Sequence, residues 1–142
     1  MQARDALIEA LLRINTLSAA QEAFFHSVEM TRLNGRDNQG LRNVVPWLLL
    51  RLGEEKENFR FMRWWLVTDQ DENYDRSEPN QPPILIEQDP FRPVIEFLSA
   101  NVLNLSHLIA LTLLKIRLVL DLKTLYRSSG TGTRPRVLGN TM

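Results

Sequence analysis

The sequence predicts an all-α protein of about six helices. Apolar residues recur at helical spacing in separate windows along the chain, and glycine, proline or capping residues stand at the ends of those windows. The chain has 142 residues, 44% of them hydrophobic, which is the size and composition of one domain with a buried core. We expect a single helical domain over residues 1–127 and a flexible C-terminal tail over residues 128–142.

Two helices are predicted in the N-terminal part. The first covers residues 3–15, and the second follows Ser18, whose hydroxyl suits a helix N-terminus, and stops at Gly35. Each of these helices has an apolar stripe at helical spacing. The first stripe consists of Leu7, Ile8, Leu11 and Leu12, and the second of Leu17, Ala20, Phe24 and Val28.

A turn separates this pair from the third helix. Asp37 or Asn38 can cap the helix that follows, and Gly40 can adopt backbone dihedrals that other residues avoid. Arg42 can hold a carboxylate or a carbonyl group across the helical hairpin. We interpret these residues as a structural turn and not as a ligand site, because one fixed turn requires all of these residue types.

Proline, glycine and glutamate define the third and fourth helices. Pro46 cannot donate a backbone hydrogen bond, so it either kinks the third helix or occupies its first turn. Gly53 permits a left-handed residue at the end of that helix. Glu54, Glu55 and Glu57 then lie where the positive N-terminal end of a fourth helix favours anions.

The fourth helix carries more aromatic volume than one helix face can bury. Its aromatic side chains are Phe59, Phe61, Trp64 and Trp65. Either neighbouring elements cover this helix on two sides, or part of it binds a partner through Arg60, Arg63 and Trp64. Basic and aromatic side chains also mix on single-stranded nucleic-acid platforms. The chain has 17 basic and 17 acidic residues, however, and so no net charge to attract nucleic acid, and we expect packed rings with arginines at their rim.

Residues 69–90 form a long acidic, proline-containing loop between the fourth and fifth helices. The segment holds seven acidic residues and one arginine. Oxygen-bearing side chains stand at alternate positions there, as in the calcium loop of an EF-hand: Asp69, Asp71, Asn73 and Asp75. Tyr74 stands where the sharp turn of such a loop requires glycine, and Asn80 where a bidentate glutamate is expected. We therefore favour a solvated acidic loop over calcium binding by these side chains.

The C-terminal part predicts a short fifth helix and a long sixth helix. Pro90 and Pro93 bracket the start of the fifth helix. Ser106 suits the N-terminus of the sixth, which we expect to end near Arg127. The sixth helix is apolar nearly all round over its first half, which indicates a central place in the core. Its apolar window, residues 102–114, is shorter than the roughly 20 residues that span a bilayer.

Little in the sequence supports catalysis or a cofactor. The chain has no cysteine, which excludes a disulfide framework, a cysteine nucleophile and a thiolate metal site. Its two histidines are His26 and His107. Ser106 adjoins His107, but neighbouring residues in a helix point about 100° apart and cannot form a nucleophile–base pair. We expect no catalytic residue and no cofactor.

The stretch Leu50-Arg51-Leu52-Gly53, with its acidic continuation, resembles the turn between the two helices of a tetratricopeptide unit. The Asp37-Asn38-Gln39-Gly40-Leu41-Arg42 turn, Pro46 and Trp64-Trp65 are similar to features of a group of largely uncharacterised fungal helical proteins. Some members of that group carry a MYND zinc finger, which this cysteine-free chain cannot form. The resemblance implies antiparallel helical pairs stacked in tetratricopeptide-like fashion and an interaction role, and it implies no known activity.

These features predict a protein–protein interaction or scaffold module without catalytic activity of its own. The expected partner is another protein or a second copy of the chain, bound between the second and fourth helices or by the acidic loop. The main alternative is a calcium- or ligand-binding protein that uses residues 69–80, and an enzyme with an unrecognised carboxylate site is a third interpretation. We expect no membrane or nucleic-acid partner and a soluble, cytoplasmic protein, with a nuclear location still open.

Overall fold

The computed structural model describes residues 2–34, 40–78, 86, 88–99 and 104–130. Over these residues the protein is all-α, as the sequence predicts, with six α-helices, one short 3-10 turn and no β-strand. The 3-10 turn covers Leu41–Asn43. The helices are α1 Gln2–Leu12, α2 Leu17–Leu33, α3 Val45–Leu52, α4 Glu55–Gln70, α5 Ile95–Leu98 and α6 Leu105–Gly130.

The short helix α3 lies at the centre of this arrangement. Successive helices pack against each other from α1 to α4, and α6 returns to lie against both α3 and α4. The side chains of Val45, Leu48 and Leu49 in α3 are buried as a result. A helix with neighbours on several sides must be apolar nearly all round, and α3 meets this requirement with Arg51 as its one charged residue.

Helix α2 packs against both α1 and α3 through small side chains. Its buried residues are Ala19, Ala20, Ala23, Ser27 and Met30. The predicted apolar stripe is wrong at Leu17 and Val28, which are 61% and 41% exposed. Because α2 has a helix on two sides, small side chains let the backbones approach, and the larger apolar residues lie at the rim.

The connection between α3 and α4 matches the sequence prediction. Pro46 occupies the first turn of α3, where its missing N–H leaves no hydrogen bond unmade. Gly53 ends α3 with φ 74° and ψ 24°, in the left-handed region. The amide of Glu54 then donates to the carbonyl of Leu49 at 3.0 Å, which satisfies a carbonyl group at the helix end. Glu55 lies in the first turn of α4, as expected from the helix dipole.

The largest hydrophobic cluster joins α4, α5 and α6. Phe59 of α4 meets Phe97 of α5 edge to face, with ring centroids 5.9 Å apart. The other buried members of the cluster are Met62, Ala110, Leu111 and Leu114. Helix α5 has four residues, about 6 Å of helix, so it can cover only a narrow strip of the much longer α6.

The N-termini of α2 and α6 differ from the prediction. Thr16 caps α2, because its Oγ1 accepts a hydrogen bond from the amide of Ala19 at 3.2 Å, and the assignment of this role to Ser18 is wrong. The side chain of Asn104 accepts from the amide of His107 at 3.1 Å. Asn104 thus stands at the start of α6 in the role expected of Ser106, which lies inside the helix.

The ends of the helices also shift relative to the sequence-based boundaries. Helix α1 ends at Leu12, and α6 continues to Gly130, beyond the expected end at Arg127. The predicted start of the acidic loop at residue 69 is wrong, because Asp69 and Gln70 belong to the last turn of α4, and the described residues that follow, 71–78, contain turns. The predicted stop at Gly35, the caps Asp37 and Asn38, and the tail beyond Gly130 lie outside the described residues.

Within the ranges given above, no helix combines the length and the apolar character that a membrane-spanning segment needs.

Candidate functional site

An arginine–tryptophan cluster joins the end of α4 to the segments beside it. Its members are Arg42 of the 3-10 turn, Trp64, Trp65, Thr68 and Asp69 of α4, and Arg76 of the segment after α4. Positions 65, 68 and 69 share one face of α4, because they are three and four residues apart. Gly40, with φ 69° and ψ 25°, turns the chain shortly before Arg42, in the unusual conformation that the sequence suggests.

Asp69 is the acceptor at the centre of the arginine–tryptophan cluster. Arg76 donates from Nη2 to Asp69 Oδ1 at 2.5 Å and to Thr68 Oγ1 at 2.7 Å. The Nη1 of Arg42 lies 3.6 Å from the same carboxylate oxygen, which is the kind of contact expected of Arg42. The side chains of Asp69 and Arg76 are 18% and 21% exposed, so water and salt screen this ion pair only in part.

Both guanidinium groups also lie over an indole ring. The Cζ of Arg76 is 4.4 Å and the Cζ of Arg42 5.1 Å from the ring centroid of Trp65. Trp64 meets Trp65 edge to face at 5.0 Å, and Trp65 is 2% exposed. The cation–π contacts with Trp65 and the ion pairs with Asp69 thus link both arginines to α4. The cluster therefore holds the end of α4 against the 3-10 turn.

His107 ties α6 to the same 3-10 turn. Its Nε2 donates a hydrogen bond to the carbonyl oxygen of Arg42 at 2.7 Å. Burial lowers the pKa of His107, and the hydrogen bond to Arg42 opposes this shift only in part, so the ring is neutral near pH 7. Ser106 points elsewhere, with its Oγ accepting from Trp47 Nε1 and donating to Asn43 O, both at 3.3 Å. These contacts give both residues a role in joining α6 to the turn before α3.

The weak calcium-ligand candidates face different partners. Asp69 lies against the two arginines described above. Asp71 Oδ1 accepts from the amide of Asn73 at 3.0 Å, and Asp75 Oδ1 accepts from the amide and hydroxyl of Ser77 at 2.9 and 2.6 Å. These are the local turns that aspartate commonly forms. In the part of the chain that the structure describes, no group of three or more histidine, aspartate or glutamate side chains is placed to hold a metal ion.

The candidate partner-binding residues of α4 also face different neighbours. Arg63 Nε donates to Glu96 Oε2 of α5 at 3.1 Å. Trp64 lies edge to face with Tyr74 at 5.9 Å, and Arg60 is exposed. Arg63 thus contacts α5, and Trp64 contacts the segment after α4.

An apolar groove with a volume of about 550 Å³ lies between α5 and α6, and we refer to it as the α5–α6 groove. Val94 and Leu98 line it beside α5. Helix α6 contributes Leu108, Leu111, Thr112, Lys115, Ile116, Val119, Leu120 and Lys123. The sequence does not predict this groove, because a helix that is apolar nearly all round, such as the first half of α6, indicates a place in the core.

Helix α6 continues past the groove with apolar side chains in contact with solvent. From Val119 to Gly130 every residue is exposed. Its large apolar side chains in this part are 49% to 81% exposed: Val119, Leu120, Leu122, Leu125 and Tyr126. A second depression, lined by Val119, Leu122, Lys123, Tyr126 and Arg127, continues the groove along α6. A contiguous apolar surface of this kind, unlike single exposed side chains, is typical of a binding site.

The fold and these surfaces define a class, an all-α protein with an apolar groove between two helices. No family model, curated protein or solved structure matches the chain.

Proposed function

We propose that the protein is a protein–protein interaction module without catalytic activity of its own, and that its α5–α6 groove receives a helix of the partner. The observation that carries this proposal is the apolar groove together with the exposed apolar side chains of distal α6. Burying apolar surface is favourable by roughly 25 cal/mol per Å², so a partner helix that covers this face gains affinity from every side chain it shields. Helices that lie in apolar grooves are a common mode of recognition.

The architecture agrees with such a role. The contacts between α1 and α2 and between α3 and α4 support two successive helical pairs, which we interpret as antiparallel pairs stacked in tetratricopeptide-like fashion. Stacked pairs of this kind present grooves to partners. In this proposal the partner is another protein or a second copy of the chain.

The competing proposal of calcium or ligand binding by residues 69–80 has less support. A cation at Oδ1 of Asp69 would compete with Arg76 and Arg42, because both guanidinium groups face that carboxylate oxygen. The energy of an existing, partly shielded ion pair would then oppose binding.

A selection from a library of amphipathic helical peptides tests the interaction proposal. Peptides enriched on the wild-type protein should lose most of their binding to a Val119→Asn variant, because Val119 lines both the groove and its continuation. Leu113→Asn is the matched control, since Leu113 is 43% exposed, close to the 50% of Val119, but does not line the groove. Circular dichroism establishes that both variants are folded. Absence of enriched peptides, or equal loss of binding in both variants, would contradict the proposal.

A further inference from the structure

We infer that the partner helix is acidic. This inference rests on the proposed function, and it concerns the chemistry that the α5–α6 groove selects in its partner. It follows from the distribution of charge around α6, which differs sharply between the groove side and the opposite side.

The described groove lining of α6 carries only basic charge, whereas the opposite side carries Asp121 together with Arg117, which is paired with Glu55 of α4. Lys115, Val119, Lys123 and Arg127 follow one another at intervals of four residues and therefore form one ridge along the helix. All of them line the groove or its continuation. Asp121 is the one acidic residue of α6. It is two residues from both Val119 and Lys123, about 200° around the helix, and so lies on the opposite side.

Lys115 contributes less than the other cations to the attraction of a partner. Its Nζ donates to the carbonyl oxygens of Pro90 and Arg92. Burial lowers the pKa of Lys115, and the nearby carboxylate of Asp89 opposes this shift. Lys123 is exposed and therefore supplies positive charge that an incoming helix meets.

A second copy of the chain is a poor occupant of this face. Two grooves placed face to face bring the ridge with Lys123 and Arg127 against the same ridge of the other copy, whichever direction the helices run. No aspartate or glutamate is among the described residues that line the groove and its continuation. Like charges brought together in this way reduce affinity, whereas an acidic helix meets the ridge with attraction.

The shape of the groove favours a helix over a flat lipid surface. Val94 and Leu98 stand beside α6 and make the surface concave. The lining of α6 runs from Leu108 to Lys123, roughly 22 Å along the helix axis. A partner helix of about four turns, with apolar side chains toward the groove and carboxylates along one flank, matches both this length and the charge.

Two designed amphipathic peptides of about 18 residues test the inference. They share one apolar face, and one carries glutamate where the other carries lysine. Fluorescence anisotropy with the full chain should show that the acidic peptide binds about tenfold more tightly at roughly 50 mM salt. The difference should shrink at roughly 500 mM salt, because salt screens exposed charges.

A charge reversal on the ridge provides the matched variants. Lys123→Glu should lower the affinity for the acidic peptide about tenfold and raise the affinity for the basic peptide. Lys56→Glu introduces the same change of charge at an exposed position in the first turn of α4, away from the groove, and should leave both affinities within about twofold.

The outcomes separate this inference from the proposed function. Equal or tighter binding of the basic peptide, still lost in Val119→Asn, would overturn the acidic partner and leave the groove as a binding site. Failure of both peptides to bind would contradict the proposed function itself. Binding to phosphatidylserine vesicles in preference to the acidic peptide, or a dimer in light scattering that Val119→Asn dissociates, would also overturn the inference.

Discussion

Replacing Asp69 with asparagine should lower the free energy of unfolding by about 2 kcal/mol. The substitution keeps the size of the side chain and removes the charge that Arg76 and Arg42 face. An exposed ion pair contributes about 0.2–1 kcal/mol, whereas removal of one partner from a buried pair costs about 3–5 kcal/mol. With Asp69 and Arg76 18% and 21% exposed, the expected value lies between these limits.

The two arginines should differ in their coupling to Asp69. A double-mutant cycle of Asp69→Asn with Arg76→Ala should give a coupling energy of about 1–2 kcal/mol, because Nη2 of Arg76 lies 2.5 Å from the carboxylate oxygen. The cycle with Arg42→Ala should give a coupling energy below about 0.5 kcal/mol, because Nη1 of Arg42 lies 3.6 Å from the carboxylate oxygen and its side chain is 37% exposed. Arg42→Ala alone should still lower the melting temperature, through loss of its contact with Trp65, and leave peptide binding at the groove unchanged.

Urea unfolding followed by far-ultraviolet circular dichroism measures these values. The melting temperature of Asp69→Asn should fall by roughly 6–8 °C for a domain of this length. Asp121→Asn, which removes an exposed carboxylate on α6, is the control and should change stability by less than about 0.5 kcal/mol. If Asp69→Asn stayed within that same limit, the carboxylate would not be the centre of the cluster.

Two further predictions concern α6 and the end of α3. Because burial lowers the pKa of His107, the unfolded chain takes up a proton below about pH 6.5 that the folded chain does not bind, and stability should fall as the pH decreases from that value. Melting curves between pH 7.5 and 5 should show a smaller fall for His107→Gln than for the wild type. Gly53→Ala should cost about 1–2 kcal/mol from its positive φ alone, since an added Cβ meets Arg117 only at an ordinary 3.8 Å. Gly130→Ala, where the added Cβ meets nothing within 4 Å, should be neutral or slightly stabilising, and equal losses at both glycines would contradict the assignment of backbone strain to Gly53.

Local chemistry explains the part of the fold that the sequence predicts. Proline has a fixed φ and no N–H group, so Pro46 suits the first turn of a helix. Glycine adopts positive φ easily, so Gly53 suits a helix end and Gly40 a turn. The capping residues are less determined, because Thr16 and Ser18 have the same chemistry and only the packing of α2 selects between them.

The site is harder to predict, because it depends on which elements meet. Arg76 stands in an acidic segment, and nothing in its local sequence indicates that it lies over Trp65. The groove is also hard to predict from local sequence. The apolar circumference of α6 predicts that this helix is buried, but α5, with four residues, leaves most of one face of α6 uncovered. The amount of surface that a neighbour covers is a property of the assembled fold.

The attachment of α6 also has a consequence for the order in which the chain folds. Helices α1 to α4 contact their immediate neighbours in sequence, whereas the bonds Trp47–Ser106, Arg42–His107 and Leu50–Arg117 join residues 59, 65 and 67 positions apart. Closing a loop of that length costs roughly 3–4 kcal/mol of chain entropy beyond a constant, and this cost precedes any gain from contacts. We therefore expect the N-terminal helices to associate first and α6 to dock afterwards on a surface already formed around α3.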